Sequence, residues 1–106
     1  MPEYLASLRR YLERQFRKLL QEHRGVIGLS ISATPREGYI EVMVYFYPFL
    51  FTMGHSADDP AVTNRLLEQA EECLPEVIGK AEDLADQVTD KLEAEGHQVI
   101  IYVRRG

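Results

Sequence analysis

A chain of 106 residues can enclose one hydrophobic core but not two, so a single domain over residues 1–106 is expected. Hydrophobic residues make up 45% and charged residues 27%, proportions that exclude a wholly disordered, collagen-like or mucin-like chain. The net charge of −5 is unevenly spread: residues 1–24 hold six Lys or Arg against three Glu, and residues 58–95 hold twelve Asp or Glu against three Lys or Arg. That division predicts a molecule with a basic side and an acidic side.

The chain opens with Leu5, Leu8, Leu12, Phe16 and Leu19 at three- and four-residue spacing, which predicts an amphipathic helix over residues 3–24. Pro2 suits its first turn and Gly25 its end. From Val26 to Ala33, Ile27, Leu29, Ile31 and Ala33 alternate with Gly28, Ser30 and Ser32, the pattern of a half-buried strand. Thr34 to Gly38 then supplies a turn, and Tyr39 to Tyr47 reads as the second strand of a β-hairpin. Ile40, Val42, Val44 and Phe46 form one face of that strand, but Tyr39, Met43, Tyr45 and Tyr47 make the other apolar too, so both faces call for cover.

Pro48 to Ala57 reads as a loop or strand extension with an unusual load of Phe49, Leu50, Phe51 and Met53. Asp58 or Asp59 can cap a helix starting at Pro60, whose stripe runs through Val62, Leu66, Ala70, Cys73, Val77, Ala81, Leu84, Val88 and Leu92. The stripe keeps its phase across Pro75, which is consistent with one kinked helix or with two helices meeting there. Gly96 ends the pattern, and Val99, Ile101 and Val103 alternate with Ile100 and Tyr102 as a last strand. The expected fold is α+β in the order α-β-β-α-β, with a small, mainly antiparallel sheet and helices on one face.

No constellation for chemistry emerges. His55, Ser56, Asp58 and Asp59 have the residue types of a hydrolytic triad, but neighbours in one loop do not converge on a reacting atom, and the same residues serve a helix start. Cys73 on the apolar stripe reads as a buried thiol, and His23 as a helix-end histidine. Glu68, Glu72, Glu76, Glu82, Asp86, Asp90 and Glu93 read as a solvated acidic face rather than a divalent-cation site, because no ligand loop accompanies them. No catalytic, metal or cofactor site is therefore expected. Arg9, Arg10, Arg14, Arg17, Lys18 and Arg24 are able to contact phosphates, with Arg36, Arg104 and Arg105 as further candidates, but the acidic total argues against nucleic acid as a tight ligand. Gly25-Val26-Ile27-Gly28 has the bare glycine pattern of a KH loop without its helical flanks. A single cysteine forms no internal disulfide, no leader is read at the start, and the most apolar window, Ile40 to Met53, is broken by Glu41 and Pro48. Those features predict a cytoplasmic, non-membrane protein.

The strongest functional lead is the apolar surplus at the hairpin: Tyr39, Met43, Tyr45, Tyr47, Phe49, Leu50, Phe51 and Met53 form the expected interface of a homo-oligomer. Around it the sequence resembles the bacteriophage neck and tail-completion proteins. Gly28-Leu29-Ser30-Ile31 is a shortened form of that family's Gly-x-Leu-x-x-Ser-Ile, without the preceding Asp-Thr-Gly. Tyr47 and Gly54 keep the separation of a second element, although Thr52 replaces its acid and His55 its threonine. Pro60-Ala61 meets the third, and together these span residues 25 to 61. The resemblance implies a structural, cofactor-free ring component that contacts other structural proteins in a virion. The element order is also similar to type II KH-like ribosome-binding factors, which makes an RNA-associated factor the alternative. An acidic inhibitor or immunity-type protein is a third reading.

Overall fold

The structure, a computed structural model, describes residues 2–23, 25–49 and 60–106. Helix α1 covers Pro2–Arg17 and tightens into a 3-10 segment over Lys18–His23. Leu8, Leu12 and Phe16 recur every four residues, fall on one face of α1, and are buried. Leu20, four residues beyond Phe16, continues that buried row into the 3-10 segment, and Leu19, which the sequence placed on the stripe, is half-buried. Gly25 ends the segment at φ 86°, a left-handed conformation that costs residues bearing a Cβ about 1–2 kcal/mol.

Strands β1 (Ile27–Arg36) and β2 (Tyr39–Pro48) form the antiparallel hairpin. Its turn is shorter than the predicted 34–38. The ladder runs on to the Arg36 and Tyr39 pair, and only Glu37 and Gly38 reverse the chain, with Gly38 at φ 85°. Pro35 stays within β1 because that strand is a sheet edge, where a proline nitrogen can face away from the ladder. Beyond Pro48 the Phe49 N–H donates to the Val26 carbonyl at 2.9 Å and carries the pairing one step further.

Helix α2 (Pro60–Ala94) is a single helix of 35 residues that contains Pro75. At 1.5 Å per residue it is about 52 Å long, matching the longest dimension of a 50 × 25 × 20 Å molecule. Pro75 lies exposed, so the Glu71 carbonyl that loses its donor there is on the solvent side. Ala70, Leu74, Val77, Ala81, Ala85, Val88 and Leu92 are buried. Two expectations need correction. Val62 is 40% exposed, lying before the helix reaches the sheet, and Cys73 is half-buried because Leu74 takes the inward position beside it. The helix ends in a Schellman motif: His97 N–H donates to the Leu92 carbonyl, Gly96 N–H donates to that of Glu93, and Gly96 sits at φ 91°.

After this crossover, strand β3 (Val99–Arg105) lies parallel to β2, giving a three-stranded sheet in the order β1-β2-β3. The sheet is therefore mixed, antiparallel on one side of β2 and parallel on the other, because the helical crossover returns the chain to the end where β2 began. The α+β class and the one-sided helices hold. Val42, Val44 and Phe46 of β2 and Val99 and Val103 of β3 share one face and enter a common core with α1 and α2. The Phe16 and Phe46 rings meet edge to face, with centroids 6.4 Å apart. At the far end the Lys91 amine lies 5.4 Å from the Tyr11 ring centroid, and Tyr4 stacks on His97 at 4.7 Å. Among the described residues no helix is long and apolar enough to cross a membrane.

Candidate functional site

Side chains alternate across a strand, so the residues of β2 absent from the core point to the opposite face of the sheet. Tyr39, Met43, Tyr45 and Tyr47 all lie there, as the sequence predicts, and each is half-buried. Register adds β3 residues that the hairpin pattern did not signal: Ile100 pairs with Glu41, Tyr102 with Met43 and Arg104 with Tyr45. Ile100 is 42% exposed and the Arg104 guanidinium rests 5.4 Å from the Tyr102 ring centroid. The apolar character of β3 on both faces was the available clue to their role. Among the described residues, no element packs over this face.

Its charge is low. Arg36 and Glu41 pair across the hairpin at 3.1 Å, and Ser30 and Ser32 of β1 sit opposite Tyr45 and Met43. At the strand start, Gly28 faces Tyr47. A Cβ on Gly28 would stand 2.5 Å from Tyr47 Cε2, so the absent side chain is what lets the ring lie across β1. Phe49 is 46% exposed just beyond. Leu50, Phe51 and Met53 of the predicted interface lie outside the described residues, as do His55, Ser56, Asp58 and Asp59.

A second feature opens where α1 and the 3-10 segment meet the start of β1. It is a cleft of about 700 Å³ with Leu20, Ile27 and Leu29 among its apolar lining, Arg14, Arg17 and Lys18 on the helix side, and Tyr47 and Phe49 on the strand side. Gly25 leaves backbone bare along it, while Gly28 is covered by the Tyr47 ring. No carboxylate belongs to the described lining. Arg17 pairs with Glu13 at 2.5 Å, whereas Arg14 and Lys18 have no ion-pair partner among the described residues. Arg10, Arg14 and Arg17 continue the basic ridge into a shallower depression of about 230 Å³.

The acidic residues singled out on α2 are all exposed, and among the described residues no group of three or more His, Cys, Asp or Glu is placed to hold a metal ion. Glu71 differs from the rest: it accepts a hydrogen bond from Arg105, which holds its carboxyl below the ordinary value and joins α2 to the end of β3. His23 is half-buried in the last 3-10 turn.

These elements define a small α+β domain with a one-sided helix layer, an open aromatic sheet face and a basic cleft. No family model matches the chain, and searches of curated proteins and of solved structures returned no match.

Proposed function

We propose that this protein is a structural assembly component whose copies associate through the open face of the sheet. The observation that carries this reading is the run of Tyr39, Met43, Tyr45 and Tyr47 on β2, flanked by Ile100 and Tyr102 of β3, on a face that no described helix covers. Contiguous apolar surface of this kind is characteristic of contact sites. The distribution of charge permits a second copy as the occupant. Each molecule carries −5, and its acids are concentrated on α2, on the opposite side of the sheet from this face. Two sheets set face to face about 10 Å apart leave both acidic helices on the outside, beyond a Debye length of about 8–10 Å.

Strands about 4.8 Å apart rising about 3.3 Å per residue give this face roughly 400 Å². A face-to-face pair then buries roughly 800 Å², below the about 1,200 Å² at which standard stable interfaces begin. The pair is accordingly weak by itself, and Phe49 at its border extends it. The finer role, a ring component at a bacteriophage neck as the resemblance implies, adds a head-to-tail contact to this pairing. Size exclusion with light scattering over about 10 μM to 1 mM tests the proposal. The expected result is a shift from monomer to dimer with concentration, abolished by Tyr45→Ser with Tyr102→Ser while the far-ultraviolet circular dichroism stays unchanged. A wild-type monomer throughout that range removes the reading.

A further inference from the structure

We infer that the cleft between α1, the 3-10 segment and the start of β1 binds a nucleoside phosphate unit. Its phosphate lies among Arg14, Arg17 and Lys18, and its base lies against Tyr47 and Phe49. This goes beyond self-association: its cations lie outside the open face, and it shares with that face only Tyr47 and Phe49 at the border.

Spacing selects the anion. Arg14, Arg17 and Lys18 stand at i, i+3 and i+4, neighbouring positions on one helix surface, so three cations converge on a single group. Convergence of three positive charges suits a phosphate, with a charge of about −1.5 to −2 and several acceptor oxygens, better than a lone carboxylate. Arg17 is paired with Glu13, whereas Arg14 and Lys18 have no ion-pair partner among the described residues, so two of the three charges stand uncompensated. A protein of net charge −5 has no carboxylate among the described residues lining the cleft, and Glu13, next to it in sequence, turns to Arg17 and lines the neighbouring depression. The bare backbone at Gly25, where an added Cβ meets nothing within 4 Å, leaves room for close approach.

The other wall selects a flat partner. Tyr47 and Phe49 line the same cleft as the cations, and nucleobases stack on such side chains without sequence preference. At about 700 Å³ the cleft falls within the about 300–1,000 Å³ usual for small-ligand sites. The same unit occurs in a free nucleotide and in a single-stranded nucleic acid. Arg10 and Arg14 in the neighbouring depression, which also holds Glu13 paired with Arg17, give a strand a place for its next phosphate.

Titration of the full chain with AMP, and separately with a fluorescein-labelled twelve-residue oligothymidylate, tests the assignment. Saturable binding is expected for at least one probe. Arg14→Glu with Lys18→Glu, both exposed and outside the core, should weaken it at least tenfold with unchanged circular dichroism, and Phe49→Ala should weaken it about five-fold or more. A strand ligand shows as oligothymidylate binding far more tightly than AMP, with an affinity that falls as salt rises. A free-nucleotide ligand shows as comparable affinities. The inference is overturned if neither probe binds, if binding survives the double charge reversal, or if inorganic phosphate displaces AMP as well as unlabelled AMP does.

Discussion

Tyr4 shows how one atom can be out of balance with its setting. Its ring stacks on His97 and packs against the core, but its hydroxyl is buried with no hydrogen-bond partner among the described residues. Burial first, and the charge of Glu95 second, hold that hydroxyl above the ordinary tyrosine pKa. A value raised on folding gives stability that is complete below the unfolded pKa and lost as pH rises through the folded one. Tyr4→Phe removes the orphaned group and its titration together while keeping the ring. We expect thermal denaturation near neutral pH to show no loss, or a gain of about 1 kcal/mol, and the alkaline decline in stability to flatten. A loss at neutral pH would mean that the hydroxyl has a partner after all. Nothing in the local sequence announces this, because Tyr4 precedes the leucine stripe and meets His97 only through the tertiary fold. Leu8, Leu12 and Phe16 were legible since a helical period needs no knowledge of partners, whereas Leu19 and Leu20, three and four residues past Phe16, both fit that period and only the fold shows that Leu20 is the buried one.

At the scale of elements, α2 carries both the plainest pattern and its largest ambiguity. The stripe from Ala70 to Leu92 sets a helix on the sheet, and its unbroken phase across Pro75 is compatible with one helix or two. Phase records which side faces the core, not whether each ladder bond is made, and for that reason the single helix emerged only with the fold. Proline within a helix interior is about 3 kcal/mol less favourable than alanine. Since Pro75 is exposed and no core contact depends on its ring, Pro75→Ala should stabilise the protein by about 1–3 kcal/mol, with helix content unchanged or slightly raised. Destabilisation would show that a bend at Pro75 is what fits α2 to the sheet. The hairpin was legible from alternation alone. Its two-residue turn was not, because Pro35 reads as a turn residue unless β1 is known to be an edge strand. The parallel placement of β3 was likewise hidden, since a strand's own sequence does not carry the direction of its neighbour.

For the whole molecule, the governing fact is a division of labour among surfaces: acids along the outside of α2, cations on α1, and an aromatic field of low charge on the far side of the sheet. Sequence made the apolar surplus of β2 visible and left β3's contribution unseen, because Ile100 and Tyr102 join the surface only through register with Glu41 and Met43. Two modes of self-association are conceivable for such a body, and salt separates them. Pairing through the open face joins apolar surfaces while two charges of −5 repel, so screening should strengthen it. Docking of a basic α1 onto a neighbour's acidic α2 is attractive through charge and should weaken as the Debye length shortens from roughly 14 Å near 50 mM to roughly 4 Å near 500 mM. Sedimentation equilibrium at those two salt concentrations should therefore show a tighter dimer at high salt. A looser one would move the contact off the sheet and onto the helices, and with it the physical basis for assigning Tyr45 and Tyr102 to the interface.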